Sequence, residues 1–100
     1  MKIPKRFKLY NHTVSVNVDP ALLHKDDARG MAHYRDSRID LQPVSETNPH
    51  PATYMEAAFC HELVHFLFWH SGYADDRQDE VKVERIAQLL HQALTTMEYE

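Results

Sequence analysis

Residues 52–71, ATYMEAAFCHELVHFLFWHS, decide how the rest of the chain must be arranged. Phe59, Leu63, Phe66, Leu67, Phe68 and Trp69 spread over more than half of a helical circumference, too wide for a helix with one buried face. Such a segment belongs in the middle of a domain. Gly72 follows it as the natural stop. Downstream, Val83, Ile86, Ala87, Leu90, Leu94 and Met97 repeat at the i, i+3, i+4, i+7 spacing and predict an amphipathic helix from about Asp76 to Met97, packed on the first.

Upstream, residues 1–45 read as strands and turns. Phe7 to Tyr10 and Thr13 to Val18 predict a hairpin across Asn11-His12, closed by Asp19-Pro20. Gly30 opens a second extended pair, Met31 to Arg35 and Arg38 to Gln42, across Asp36-Ser37, with Ile39 and Leu41 sharing a core face. Pro20 to Arg29 has no clear pattern, and Pro43 to Pro51 is a polar connection with three prolines. Strands followed by helices predict one α+β domain over residues 1–100: a small antiparallel sheet of hairpins packed on two helices.

The central segment also carries His61-Glu62-Leu63-Val64-His65, an H-E-x-x-H pattern. On a helix, positions i and i+4 stack on one face, so His61 and His65 can grip one metal ion while Glu62 reaches the open coordination position. With eight histidines and seven glutamates in 100 residues, five letters alone are suggestive, so the surroundings must supply the rest. A catalytic zinc takes three protein ligands and keeps the fourth place for water. Asp79, Glu80 and Glu84 open the second helix and are the available carboxylates. Projected around the helix, Glu80 borders the apolar stripe and is the better third ligand. Glu84 lies about 40° further out and serves as a support for a histidine ring or as an alternative ligand, and Asp79 is the third choice because its side chain is short.

Composition narrows the function. A formal net charge of −4 argues against nucleic-acid binding, and the cluster Lys2, Lys5, Arg6 and Lys8 reads as a solvated strand. The single cysteine, Cys60, excludes an internal disulfide and reads as a small buried residue in a reducing cytoplasm. No signal-peptide core or membrane-length apolar run is visible, so a cytoplasmic protein without a membrane partner is expected.

H-E-L-V-H in an apolar helix, followed by D-E-V-K-V-E-R-I-A-Q-L-L-H-Q-A-L and preceded by G-M-A-H-Y-R-D-S-R-I-D-L-Q, resembles the small zincin-type metallopeptidases of phage and prophage genomes. That group is distantly similar to the ImmA/IrrE metallopeptidases. The resemblance covers roughly residues 30–95. It implies a glutamate third ligand supported by an acidic residue one turn on, a spacing that Glu80 and Glu84 reproduce.

The expected reaction is hydrolysis of a bond in a peptide or protein substrate, with Zn2+ activating a water and Glu62 as general base. Tyr34, His70 and Tyr73 are candidate donors to the oxyanion, and Arg38 to Gln42 a candidate sheet edge for holding an extended peptide. His91 falls too far along the second helix from Glu80 to share a metal and is expected to be structural or exposed. His12, His24, His33 and His50 have no spacing that links them to the motif. The competing expectation is a non-catalytic, zinc-stabilised binding or assembly module of phage origin, in which Glu62 is incidental.

Overall fold

The computed structural model describes residues 1–23, 28–43, 51–73 and 75–99. Strand β1 (Arg6–Leu9) and strand β2 (His12–Val18) form the first hairpin, paired antiparallel from Leu9 opposite His12 to Arg6 opposite Ser15. The turn is Tyr10-Asn11, one residue earlier than Asn11-His12, because His12 joins the β-branched run behind it. Tyr10 takes the left-handed φ of 53° that tight hairpin turns use. Strand β3 (Gly30–His33) and strand β4 (Arg38–Leu41) form the second hairpin around Asp36-Ser37.

The α+β class holds, but the sheet is mixed rather than antiparallel. β2 and β4 run parallel, Ser15 opposite Arg38 and Val18 opposite Leu41, giving the order β1-β2-β4-β3. Sequence alternation specifies pairing within each hairpin, whereas pairing between hairpins depends on where the connection after Val18 carries the chain. It carries β3 to the far edge, and β4 returns between β3 and β2. The expected edge, Arg38 to Gln42, is therefore an inner strand, and the sheet's outer strands are β1 and β3.

Ile39 and Leu41 are fully buried on the helix side of β4, as the i, i+2 pattern requires. Asp40 points the other way and is also buried, held by Arg38 Nε at 2.8 Å and Asn17 Nδ2 at 3.2 Å. Burial alone would raise its pKa, but these donors outweigh burial and hold it low. Leu22 is buried in the connection, where Leu23 N–H donates to Gln42 Oε1 and Gln42 Nε2 to the Pro20 carbonyl. Parts of the two stretches without clear pattern, residues 24–27 and 44–50, which hold His24 and His50, lie outside the described residues.

Helix α1 (Ala52–Ser71) matches the sequence reading, and Gly72 ends it in the left-handed conformation, φ 86°, its N–H bonded to the Phe68 carbonyl. α1 is the middle layer: Phe59, Cys60, Val64 and Phe66 pack with Val14, Ile39 and Leu41, and the opposite side meets the last helix. Burying a side chain such as Phe66 contributes roughly 1.5–3 kcal/mol. Enclosure is incomplete, since Leu67, Trp69 and Tyr54 remain 39–49% exposed.

The second helix does not begin at Asp76. Asp76–Gln78 is a single 3-10 turn, and helix α2 (Glu80–Thr96) starts where the Asp79 side chain accepts the Lys82 N–H at 3.1 Å as an N-cap. The apolar seam is narrower than expected: Val83 and Ala87 are buried, whereas Ile86 and Met97 are exposed. His91 is structural, its Nε2 2.9 Å from Glu56 on α1, and the Met1 amine meets the same carboxylate oxygen. No helix among the described residues is long and apolar enough to cross a membrane.

Candidate metal centre

α1 presents His61 and His65 towards the start of α2, their rings edge to face with centroids 5.0 Å apart. Because the Asp79 cap sets the first turn of α2, the Glu80 carboxylate arrives between them: Oε2 is 2.8 Å from His61 Nε2, and Oε1 is 3.1 Å from His65 Nε2. One donor atom from each of the three residues lies within 4.8 Å of the others. A tetrahedral ion with bonds of about 2.0–2.1 Å needs donors roughly 3.3 Å apart, and two nitrogens with one carboxylate oxygen make a common donor set for such an ion. The residues fit a metal ion.

The neighbouring carboxylates divide into different roles. Glu84, one turn beyond Glu80, accepts from His61 Nδ1 at 2.6 Å, on the far side of the ring from Glu80. A carboxylate there favours a proton on Nδ1 and leaves Nε2 directed at Glu80, so Glu84 supports His61 rather than joining the three donors. Asp79 is used up as a helix cap. His65 Nδ1 is buried without a well-formed hydrogen bond, with the Arg77 main chain as a weak partner.

Burial disfavours the charged form of both imidazoles. For His61 the nearby Glu62, Glu84 and Glu80 outweigh burial and raise the pKa, whereas for His65 burial prevails over Glu80 and lowers it. Glu62 is 8% exposed, and burial pushes its carboxyl up to about 7, with His61 opposing and Glu80 and Glu84 adding to the rise. A carboxyl in that range can both take and return a proton near neutral pH. Gly30, the first residue of β3, makes the space for it: a Cβ there would lie 3.1 Å from Glu62 Cγ and Oε2. The signal was present in the sequence as one of only two glycines, opening a strand.

Of the three expected oxyanion donors, Tyr34 is under the influence of Glu62 and Glu80. Burial raises its pKa, Arg77 opposes this, and Glu62 and Glu80 both add to it. Its ring stacks on Trp69 at 4.8 Å, and the Arg77 guanidinium sits over both rings at 5.3 and 5.0 Å. His70 instead stacks on His12 at 5.0 Å, and Tyr73 is 62% exposed beyond the end of α1. Neither is brought to the three donors. Cys60 is fully buried away from them, 3.9 Å from the Met1 sulfur, and burial pushes its thiol up to about 11. His33 pairs with Asp40 at 3.0 Å.

One hollow borders the centre, and a second lies around Tyr34 and Arg77. The first, of about 300 Å³, is lined by Arg29, Tyr54, Ala57 and Ala58 together with His61, Glu62 and Glu84. The second, of about 400 Å³, is lined by His33, Tyr34, Arg35, Asp36, Trp69 and Arg77. Arg29, Tyr54 and Arg77 carried no periodic or motif signal, because they reach the site from three separate parts of the chain. No protein-family model, curated protein or solved structure matches the chain.

Proposed function

We propose that the chain is a zinc-dependent metallopeptidase whose ligands are His61, His65 and Glu80 and whose general base is Glu62. The observation that carries this reading is the buried Glu62 carboxyl, raised to about 7, beside three donor atoms gathered within 4.8 Å. Two imidazoles and one carboxylate are a donor set that catalytic zinc uses, and among the described residues no fourth such donor joins the group. Zinc bound there would supply a water of lowered pKa and polarise the substrate carbonyl.

The chain's own residues account for the remaining roles. Glu62 takes a proton from the water and returns it to the leaving amine, which its pKa allows near neutrality. Glu84 holds the His61 ring in one tautomer. Tyr34, with Arg77 beside it, is the donor candidate for the developing oxyanion. Among the described residues β3 pairs with β4 alone, so a peptide can extend the sheet along β3, whose first residue touches Glu62.

The test compares wild type with Glu62→Gln for bound zinc, thermal stability and cleavage of a mixed peptide library. The expected result is equal zinc content and near-equal stability, with cleavage lost only in the variant. Zinc retained by a wild-type protein that cleaves nothing would instead favour a metal-stabilised binding module, and a wild type unable to take up zinc would overturn both.

A further inference from the structure

The hollow that borders the centre is built on the side of α1 that carries the histidines. Tyr54, Ala57 and Ala58 stand within two turns before His61 and on its side of the helix, so the turn next to the metal position presents two methyl groups instead of larger side chains. The space they leave, about 300 Å³, runs from the Tyr54 ring to His61 and Glu62, a distance of about 10 Å along the helix. That is the small end of the range for ligand pockets and suits one side chain.

Glu62 is 8% exposed, yet among the described residues nothing donates a hydrogen bond to its carboxylate. A buried carboxyl without a partner is costly, and the hollow it lines is the direction from which a donor can come. The charges beside it are already engaged. Glu84 lies 2.6 Å from His61 Nδ1 and accepts from Gln88 Nε2 at 3.3 Å, while the Arg29 guanidinium sits 5.8 Å from the centre of the Tyr54 ring. The two are of opposite sign, so the lining offers no single-signed field, and a charged side chain entering it would give up water without gaining a partner. The surfaces left for an occupant are an aromatic ring and two methyl groups.

We propose that this hollow is a specificity subsite for an uncharged apolar side chain of leucine to phenylalanine size, carried by the substrate residue next to the metal, with Ala58 setting its depth and Tyr54 its outer wall. That the occupant belongs to a peptide about to be cleaved rests on the peptidase reading above. The preference for an apolar over a charged side chain needs only the metal.

Hydroxamates of N-acetylated alanine, leucine, phenylalanine, glutamate and lysine are the probes, because the hydroxamate group chelates zinc and leaves the side chain beside the metal. Calorimetric titration of the zinc-loaded wild type should show the leucine and phenylalanine compounds bound about ten-fold tighter than the alanine compound, the effect of partly burying three or more carbons. The glutamate and lysine compounds should bind no tighter than the alanine compound. Ala58→Leu fills the hollow and should erase the advantage over the alanine compound while leaving zinc content unchanged. Tyr54→Ala, at a half-exposed position, should cut the advantage about three-fold and keeps the test decisive if the first variant does not fold. Equal binding of the alanine, leucine and phenylalanine compounds, a preference for a charged one, or an advantage that survives Tyr54→Ala in full would overturn the proposal. A wild type that prefers the leucine compound but cleaves no peptide overturns the peptidase reading alone. Cleavage that ignores the residues beside the broken bond overturns the subsite alone, and failure of every compound to bind overturns both.

Discussion

Gly30 and Glu62 meet without a side chain between them: a Cβ on Gly30 would lie 3.1 Å from the Glu62 carboxylate oxygen and 3.4 Å from Leu41 Cδ2. The edge strand thus approaches the proposed base more closely than any other residue type would allow. Gly30→Ala should push the Glu62 carboxylate aside by a few tenths of an ångström. The expected outcome is a fall of about ten-fold in kcat, since small misplacements of a reacting group are costly. Zinc content should be unchanged. Peptide hydrolysis together with metal analysis checks this, and an unaltered rate would show that Glu62 needs no such clearance.

Glu80 and Glu84 contact the same imidazole from opposite sides, at 2.8 and 2.6 Å, and their substitutions should differ in degree. Glu80→Gln replaces a charged ligand and should remove most of the zinc affinity. Glu84→Gln leaves the donors in place and should weaken binding by about 10- to 100-fold, the usual cost of losing a carboxylate behind a histidine ligand. Competition against a chromogenic chelator measures both, and a larger loss for Glu84→Gln would exchange their roles.

Arg77 ties the 3-10 turn before Glu80 to Tyr34 on the β3–β4 turn and Trp69 on α1. Removing it in Arg77→Ala should cost about 1–2 kcal/mol of stability without metal, as expected for two partly shielded cation–π contacts. Zinc should also bind more weakly, because Glu80 begins a helix whose approach is no longer pinned. Urea unfolding of the metal-free protein and the same chelator assay read these effects separately.

The Glu56 carboxyl is held below its ordinary value, first by the hydrogen bond from His91 and then by the Met1 amine. A carboxyl with a depressed folded pKa contributes stability that is present above its unfolded value of about 4.3 and is lost as pH falls through the folded value. Wild type should therefore lose stability on acidification below about pH 4.5, and Glu56→Gln should show a shallower decline over that window. Urea titrations between about pH 3 and 6 test the slope.

The sequence by itself determined most of the elements and the helix face that carries the two imidazoles. Apolar density specified α1 and its stop at Gly72, β-branched alternation specified the first hairpin, Gly30 and the Asp36-Ser37 turn the second, and the four-residue spacing of His61 and His65 put two imidazoles on one side of a helix. These are short-range properties, legible from residue type and period alone. The tertiary structure decided what the periods do not encode. The parallel pairing of β2 with β4 put β3, not β4, at the edge and brought Gly30 against Glu62. The Asp79 cap moved the start of α2 so that Glu80 bridges both histidines while Glu84 stands behind one of them. Arg29 and Arg77 joined the surroundings of the site from distant positions, because strand order, helix docking and burial act between segments whose separation in the chain carries no signal of their contact.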